Sequence, residues 1–115
     1  STAALREYRG NNWNGTLAAT FNDPVLPVVA SAGTISLPTA SNAVSISGTT
    51  NVTSIIANGH SGRIVTLYFQ GALTMVRGSN LILSSALGNF VTTDNDTLTL
   101  MCDGTYWWEV SRSVN

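Results

Sequence analysis

The sequence predicts an all-β domain. Short runs rich in Val, Ile, Thr and Leu recur every eight to twelve residues, and Gly, Asn, Ser and Pro punctuate them. Several runs alternate strictly between apolar and hydroxyl residues, the mark of a strand with one buried face. No stretch of the body has a helical period.

Ten strands follow in order: Val25–Val29, Thr34–Leu37, Ala43–Ser47, Val52–Ala57, Arg63–Phe69, Leu73–Arg77, Asn80–Ser84, Asn89–Thr92, Thr97–Cys102 and Tyr106–Ser111. Val44 and Ile46 face one way, with Ser45 and Ser47 facing the other. Leu98 and Leu100 alternate with Thr97 and Thr99. Gln70-Gly71-Ala72 reads as a bend or bulge. Arg77-Gly78-Ser79-Asn80 reads as a tight turn. Asp103-Gly104-Thr105 joins the last two strands, and Asp-Gly favours a type I′ hairpin turn. Strands without crossover helices predict an antiparallel β-sandwich, jelly-roll-like, over residues 23–115. The alternative is a trimeric β-prism in which each chain supplies one sheet face. Residues 1–22 differ in composition and read as an arm or linker that packs on a neighbouring element or subunit, against the plainer reading of a disordered terminus.

Composition narrows the function. With 115 residues the chain suits one domain. Charged residues make up only 10%, lysine is absent, and the net charge is −1. Such a surface lacks the basic contacts that nucleic-acid binding draws on. It also offers little protection against self-association, which suits a stable oligomer or one module of a fibre. No run approaches the ~20 apolar residues of a membrane span, so membrane insertion is not expected. Cys102, the single cysteine, permits no intrachain disulfide and reads as a small buried hydrophobe.

No catalytic constellation stands out, and the chain reads as non-enzymatic. Neither a metal nor a cofactor is expected. Asp94, Asn95 and Asp96 have oxygen ligands for calcium, but a capped turn is the simpler reading. His60 is the only histidine, which excludes a multi-histidine zinc site. It sits in a Gly-flanked loop, where it is a polar loop residue or a contact to a ligand or neighbouring chain. Arg63, Arg112 and Glu109 are candidates for a subunit interface, with Glu109 and Arg112 as the natural local pair. An ordinary surface pair would contribute little. Trp13, Tyr106 and Trp108, with His60, are candidates for stacking and hydrogen bonding to a glycan. Their competing fate is burial.

From Ile46 to Ser113, four stretches in order carry a resemblance: "SISGTTNVTSI", "GRIVTLYFQGALTM", "NLIL" and "DTLTLMCDGTYWWEVSRS". Together they resemble a module at or near the C-termini of bacteriophage tail fibres, tailspikes and related virion appendages. The resemblance implies a non-enzymatic, homotrimeric β-domain that holds chains in register, binds bacterial surface polysaccharide, or does both. It implies other virion proteins as partners and a virion location, assembled in the host cytoplasm and extracellular after release. It also implies that Trp107 is the fixed core aromatic. Trp108 then lies on the second face, at a subunit interface or in a ligand groove. Two other readings fit the same surface: a capsid decoration protein (a cementing or head-fibre protein) and a carbohydrate-binding module of a secreted enzyme.

Overall fold

The computed structural model describes residues 26–57 and 61–115. Among these the chain is all-β, with ten strands: β1 (Val28–Ala30), β2 (Thr34–Ile35), β3 (Ala43–Ser47), β4 (Ser54–Ile55), β5 (Ile64–Phe69), β6 (Thr74–Met75), β7 (Leu81–Ile82), β8 (Phe90–Val91), β9 (Thr97–Cys102) and β10 (Trp107–Ser113). Each overlaps one of the ten runs read from the sequence; most are shorter, while β1 ends one residue and β10 two residues beyond the run expected. The expected arm, residues 1–22, lies outside the described residues, as do Trp13 and His60.

A curled six-stranded sheet runs β1-β3-β5-β9-β10-β7, and two short sheets pair β2 with β4 and β6 with β8. The pairing departs from the expected antiparallel scheme. Pairs β1–β3, β3–β5, β2–β4 and β7–β10 are parallel, while β5–β9, β9–β10 and β6–β8 are antiparallel. Parallel neighbours need a long crossover, which is usually a helix. Here a short strand makes the crossover instead. The chain leaves β1, passes through β2 and returns as β3 beside β1. It then leaves through β4 and returns as β5. Val52 also bridges Met75 in parallel, so the second stack extends toward β6. The absence of helical signals therefore did not imply antiparallel pairing.

One core joins all three sheets. Val44, Ile46, Val65, Leu67, Phe69, Leu98, Leu100 and Trp107 meet Ile35, Ile55, Met75 and Phe90 from the short sheets. The rings of Phe69 and Phe90 pack edge to face, with centroids 6.0 Å apart. Cys102 is buried among them as a free thiol.

The turns obey local chemistry. Gly78 and Leu81 exchange both backbone hydrogen bonds around Ser79-Asn80, as expected for a tight turn. At the bend after β5, Gly71 lies against the carbonyl of Gly48; a Cβ there would come within 3.1 Å of that oxygen. The last hairpin is present, but its turn is not type I′. That turn needs two successive positive φ angles, and only Gly104 has one (φ 106°). The Asp103 carboxylate instead accepts the N–H groups of Thr105 and Tyr106. This Asx-type closure lets a four-residue loop, 103–106, join Cys102 to its partner Trp107.

Candidate interaction face

Strand β10 sorts its side chains by alternation. Trp107 points into the core with 0% exposure, and Trp108 points out with 42%. Trp107 as core is therefore correct, and Trp108 does occupy the second face. Glu109 turns inward again. A β-bulge then intervenes: Glu109 pairs with Leu100, Ser111 with Thr99, and Val110 is the extra residue between them. The bulge brings Arg112, three residues after Glu109, to the same inward face.

Consequently Glu109 and Arg112 form a largely buried ion pair 2.7 Å long. Glu109 also accepts the Ser84 N–H at 2.8 Å. The Arg112 guanidinium donates to the Gly88 and Asn89 carbonyls and lies 4.8 Å from the Phe90 ring centre. Expected at a subunit interface, this pair instead staples loop 84–89 to β10 within one chain. The Arg112 guanidinium holds the Glu109 carboxyl below its ordinary value, against the upward push of burial and with help from the Ser84 N–H.

Arg63 is likewise committed within the chain. Its guanidinium donates to the carbonyls of Pro38 and Ser41, so it fixes a loop rather than presenting a free charge. Beside it lies a shallow cleft of about 390 Å³ lined by residues 39–42 and 61–63. The cleft is stitched to the last hairpin, since the Gly62 N–H donates to the Cys102 carbonyl at 2.7 Å.

Across β5, β9, β10 and β7 the outward face of the large sheet has two zones. In one transverse row, Ile64 pairs with Met101, Met101 with Trp108, and Trp108 with Ile82. This apolar row crosses β5, β9, β10 and β7. Ile64 is 54% exposed, and Met101 and Ile82 are half-buried. The next rows are hydroxyl-rich: Thr66, Thr99 and Ser111, then Tyr68, Thr97 and Ser113. Thr66 and Thr99 hydrogen-bond to each other at 3.0 Å.

Asp103 fixes the exposed indole. Its second carboxylate oxygen accepts the Trp108 Nε1–H at 2.9 Å, so one aspartate closes the hairpin turn and orients the ring. The Tyr106 N–H, the Trp108 indole and the Thr105 N–H hold the Asp103 carboxyl below its ordinary value. Tyr106 is 43% exposed nearby. Asp96 closes the turn before β9 by accepting the Thr93 N–H, and it also accepts the Asn115 N–H. Its carboxyl is held down by Asn115 first and then by Thr93. This is the capped turn read from the sequence.

Of the sequence-derived candidates, the structure places Tyr106 and Trp108 at one exposed end of the hairpin and turns Arg63, Glu109 and Arg112 to internal bonds. Ile64, Met101, Ile82 and Asp103 were missed. Alternation alone puts Ile64 and Met101 on the wet side of their strands, which is a readable anomaly. Their alignment with Trp108 needs the register. Comparison with protein-family models and with curated proteins finds no match for the chain.

Proposed function

We propose that this chain is a non-catalytic module of a bacteriophage virion appendage, of the tail-fibre or tailspike kind, serving host-surface attachment. In this reading it forms a homotrimer through the outward face of its large sheet. The observation that carries the proposal is the row Ile64–Met101–Trp108–Ile82, flanked on β5, β9 and β10 by rows of hydroxyl residues. A contiguous apolar patch with a polar rim marks an association site. Burying a side chain of this size contributes ~1.5–3 kcal/mol when it is fully exposed beforehand, so the row outweighs the hydroxyl rows beside it. No like charges within the row oppose a second copy. We read the short sheets β2–β4 and β6–β8 as the second layer of a sandwich of mixed pairing.

A second reading has its own observation. The Trp108 ring is held by its indole edge, and at the same end of the sheet lies the hydroxyl-lined cleft beside Arg63. A sugar of a surface polysaccharide would stack on the ring and bond to such groups.

Light scattering tests the lead reading. The full chain is expected at three times the monomer mass at micromolar concentration. The double variant Ile64→Ser, Trp108→Ser is expected at the monomer mass with an unchanged circular dichroism spectrum. A monomeric wild-type chain would overturn the proposal. A glycan array on which the wild type binds and Trp108→Ala does not would support the second reading.

A further inference from the structure

The tip of the last hairpin sets a carboxylate beside an unshielded peptide nitrogen. Asp103 is exposed, and the next residue, Gly104, has no side chain to screen its N–H. An aspartyl-glycyl bond of this kind can rearrange without a catalyst. The Gly104 nitrogen bonds to Asp103 Cγ, its proton and a carboxyl hydroxyl leave as water, and a five-membered succinimide closes. Water then adds back. Cleavage of the ring nitrogen from Cγ restores aspartate. Cleavage from the main-chain carbonyl carbon leaves the chain running through the side-chain carboxyl, as isoaspartate. One water is lost and one regained, so the mass is unchanged and nothing is oxidised or reduced.

The fold restrains both reacting groups. The Gly104 N–H donates to the Cys102 Sγ at 3.3 Å. One oxygen of Asp103 accepts the Thr105 and Tyr106 N–H groups at 2.9 and 2.7 Å, and the other accepts the Trp108 Nε1–H at 2.9 Å. Ring closure expels one of these oxygens and turns the other, so all three bonds oppose it. They also favour the ionised carboxylate, whereas water departs from the protonated form. Two of the three donors belong to the loop backbone and stay with it. The third is carried by a ring that is 42% exposed, so an external contact can turn it away.

We propose that Asp103-Gly104 is a spontaneous modification site of this chain and that the Trp108 indole is its gate. While the ring is bonded to Asp103, the carboxylate is held. When the ring turns away, the Gly104 nitrogen captures Cγ. The product lengthens the loop backbone by one carbon and shortens the side chain by one, which leaves the Trp108 ring without its holder. The other described aspartates are poorer sites: Asp94 precedes Asn95, Asp96 precedes Thr97, and Asp96 is buried. The inference goes beyond association through the outward face, and its test reads a covalent change within one chain, whatever the oligomeric state.

The full chain is aged at neutral pH, folded and in urea, then denatured and digested with trypsin. Cleavage after Arg77 and Arg112 isolates residues 78–112, which contain Asp103 and no Asn-Gly pair. Isoaspartate is counted by enzymatic methylation with an isoaspartyl methyltransferase and placed by fragmentation. In the folded wild type it should accumulate at 103 several times more slowly than in the unfolded chain. Trp108→Phe keeps a ring and removes the donor. It should raise the folded rate about fivefold, the weight of one net hydrogen bond, with an unchanged circular dichroism spectrum. Should Trp108→Phe not fold, Trp108→Met makes the same test. A folded wild type that reacts as fast as the unfolded chain would overturn the restraint. A folded variant that reacts at the wild-type rate would overturn the gate. Isoaspartate at 94 or 96 in place of 103 would overturn the site itself.

Discussion

Trp107 and Trp108 are adjacent in sequence and opposite in fate. The first is fully buried and its indole N–H has no hydrogen-bond partner among the described residues. The second is 42% exposed and its indole N–H is bonded to Asp103. The polar atom is thus satisfied on the wet ring and orphaned on the dry one. An unsatisfied buried donor costs ~1–3 kcal/mol, while loss of a buried Trp side chain costs ~3–5 kcal/mol. The core therefore keeps the ring for its volume and tolerates the nitrogen. Outside, the ring is oriented through its nitrogen, and its apolar face is left for a partner.

The contrast can be broken at its strongest point first. Trp107→Ala should lower unfolding stability by ~3–5 kcal/mol in urea titration; a loss below about 1 kcal/mol would mean that the faces are reversed. Removing one member of the inward ion pair comes next. Arg112→Met leaves Glu109 without its cation, and a loss of ~3 kcal/mol is expected. The double variant Glu109→Gln, Arg112→Met should recover part of it, which a double-mutant cycle would measure.

A smaller effect follows from pH. The folded-state carboxyls of Asp96, Asp103 and Glu109 all lie below their ordinary values of 3.8, 3.8 and 4.5. The folded chain therefore holds these protons less readily than the unfolded chain. The resulting stability is fully present above these ordinary values and is lost as pH falls through the depressed folded ones. The urea midpoint should be level near neutrality and drop steadily below pH ~4.5, and Glu109→Gln should flatten the upper part of that fall. The smallest change in stability belongs to the outward ring. Trp108→Ser should alter the stability of the single chain by under ~1 kcal/mol, whereas Asp103→Asn should leave Trp108 more accessible to an acrylamide quencher. A large loss of stability in Trp108→Ser would show that the outward ring is packed within its own chain.

Much of this was legible from residue order. Strand positions follow from apolar alternation, and the division of Trp107 from Trp108 follows from the same rule. Pairing direction was not legible, because alternation looks the same in parallel and antiparallel neighbours. The assumption that parallel pairs need helical crossovers failed where β2 and β4 supply short extended ones. The roles of Glu109 and Arg112 were hidden for another reason. Three residues apart on a regular strand, they would face opposite ways; only the bulge unites them. The apolar row was half visible, since Ile64 and Met101 break the wet-face pattern of their own strands. Which strands stand side by side is a long-range fact that no single run records.

The bulge at Val110 has one more consequence. The ladder skips this residue: Glu109 and Ser111 already occupy successive rungs opposite Leu100 and Thr99. Excising one residue from a strand ordinarily inverts everything after it. Excising Val110 would instead leave Trp107, Glu109 and Arg112 inward, and Trp108, Ser111 and Ser113 outward. The final strand thus has a spare position at its middle, where its length can change while its two faces keep their meaning.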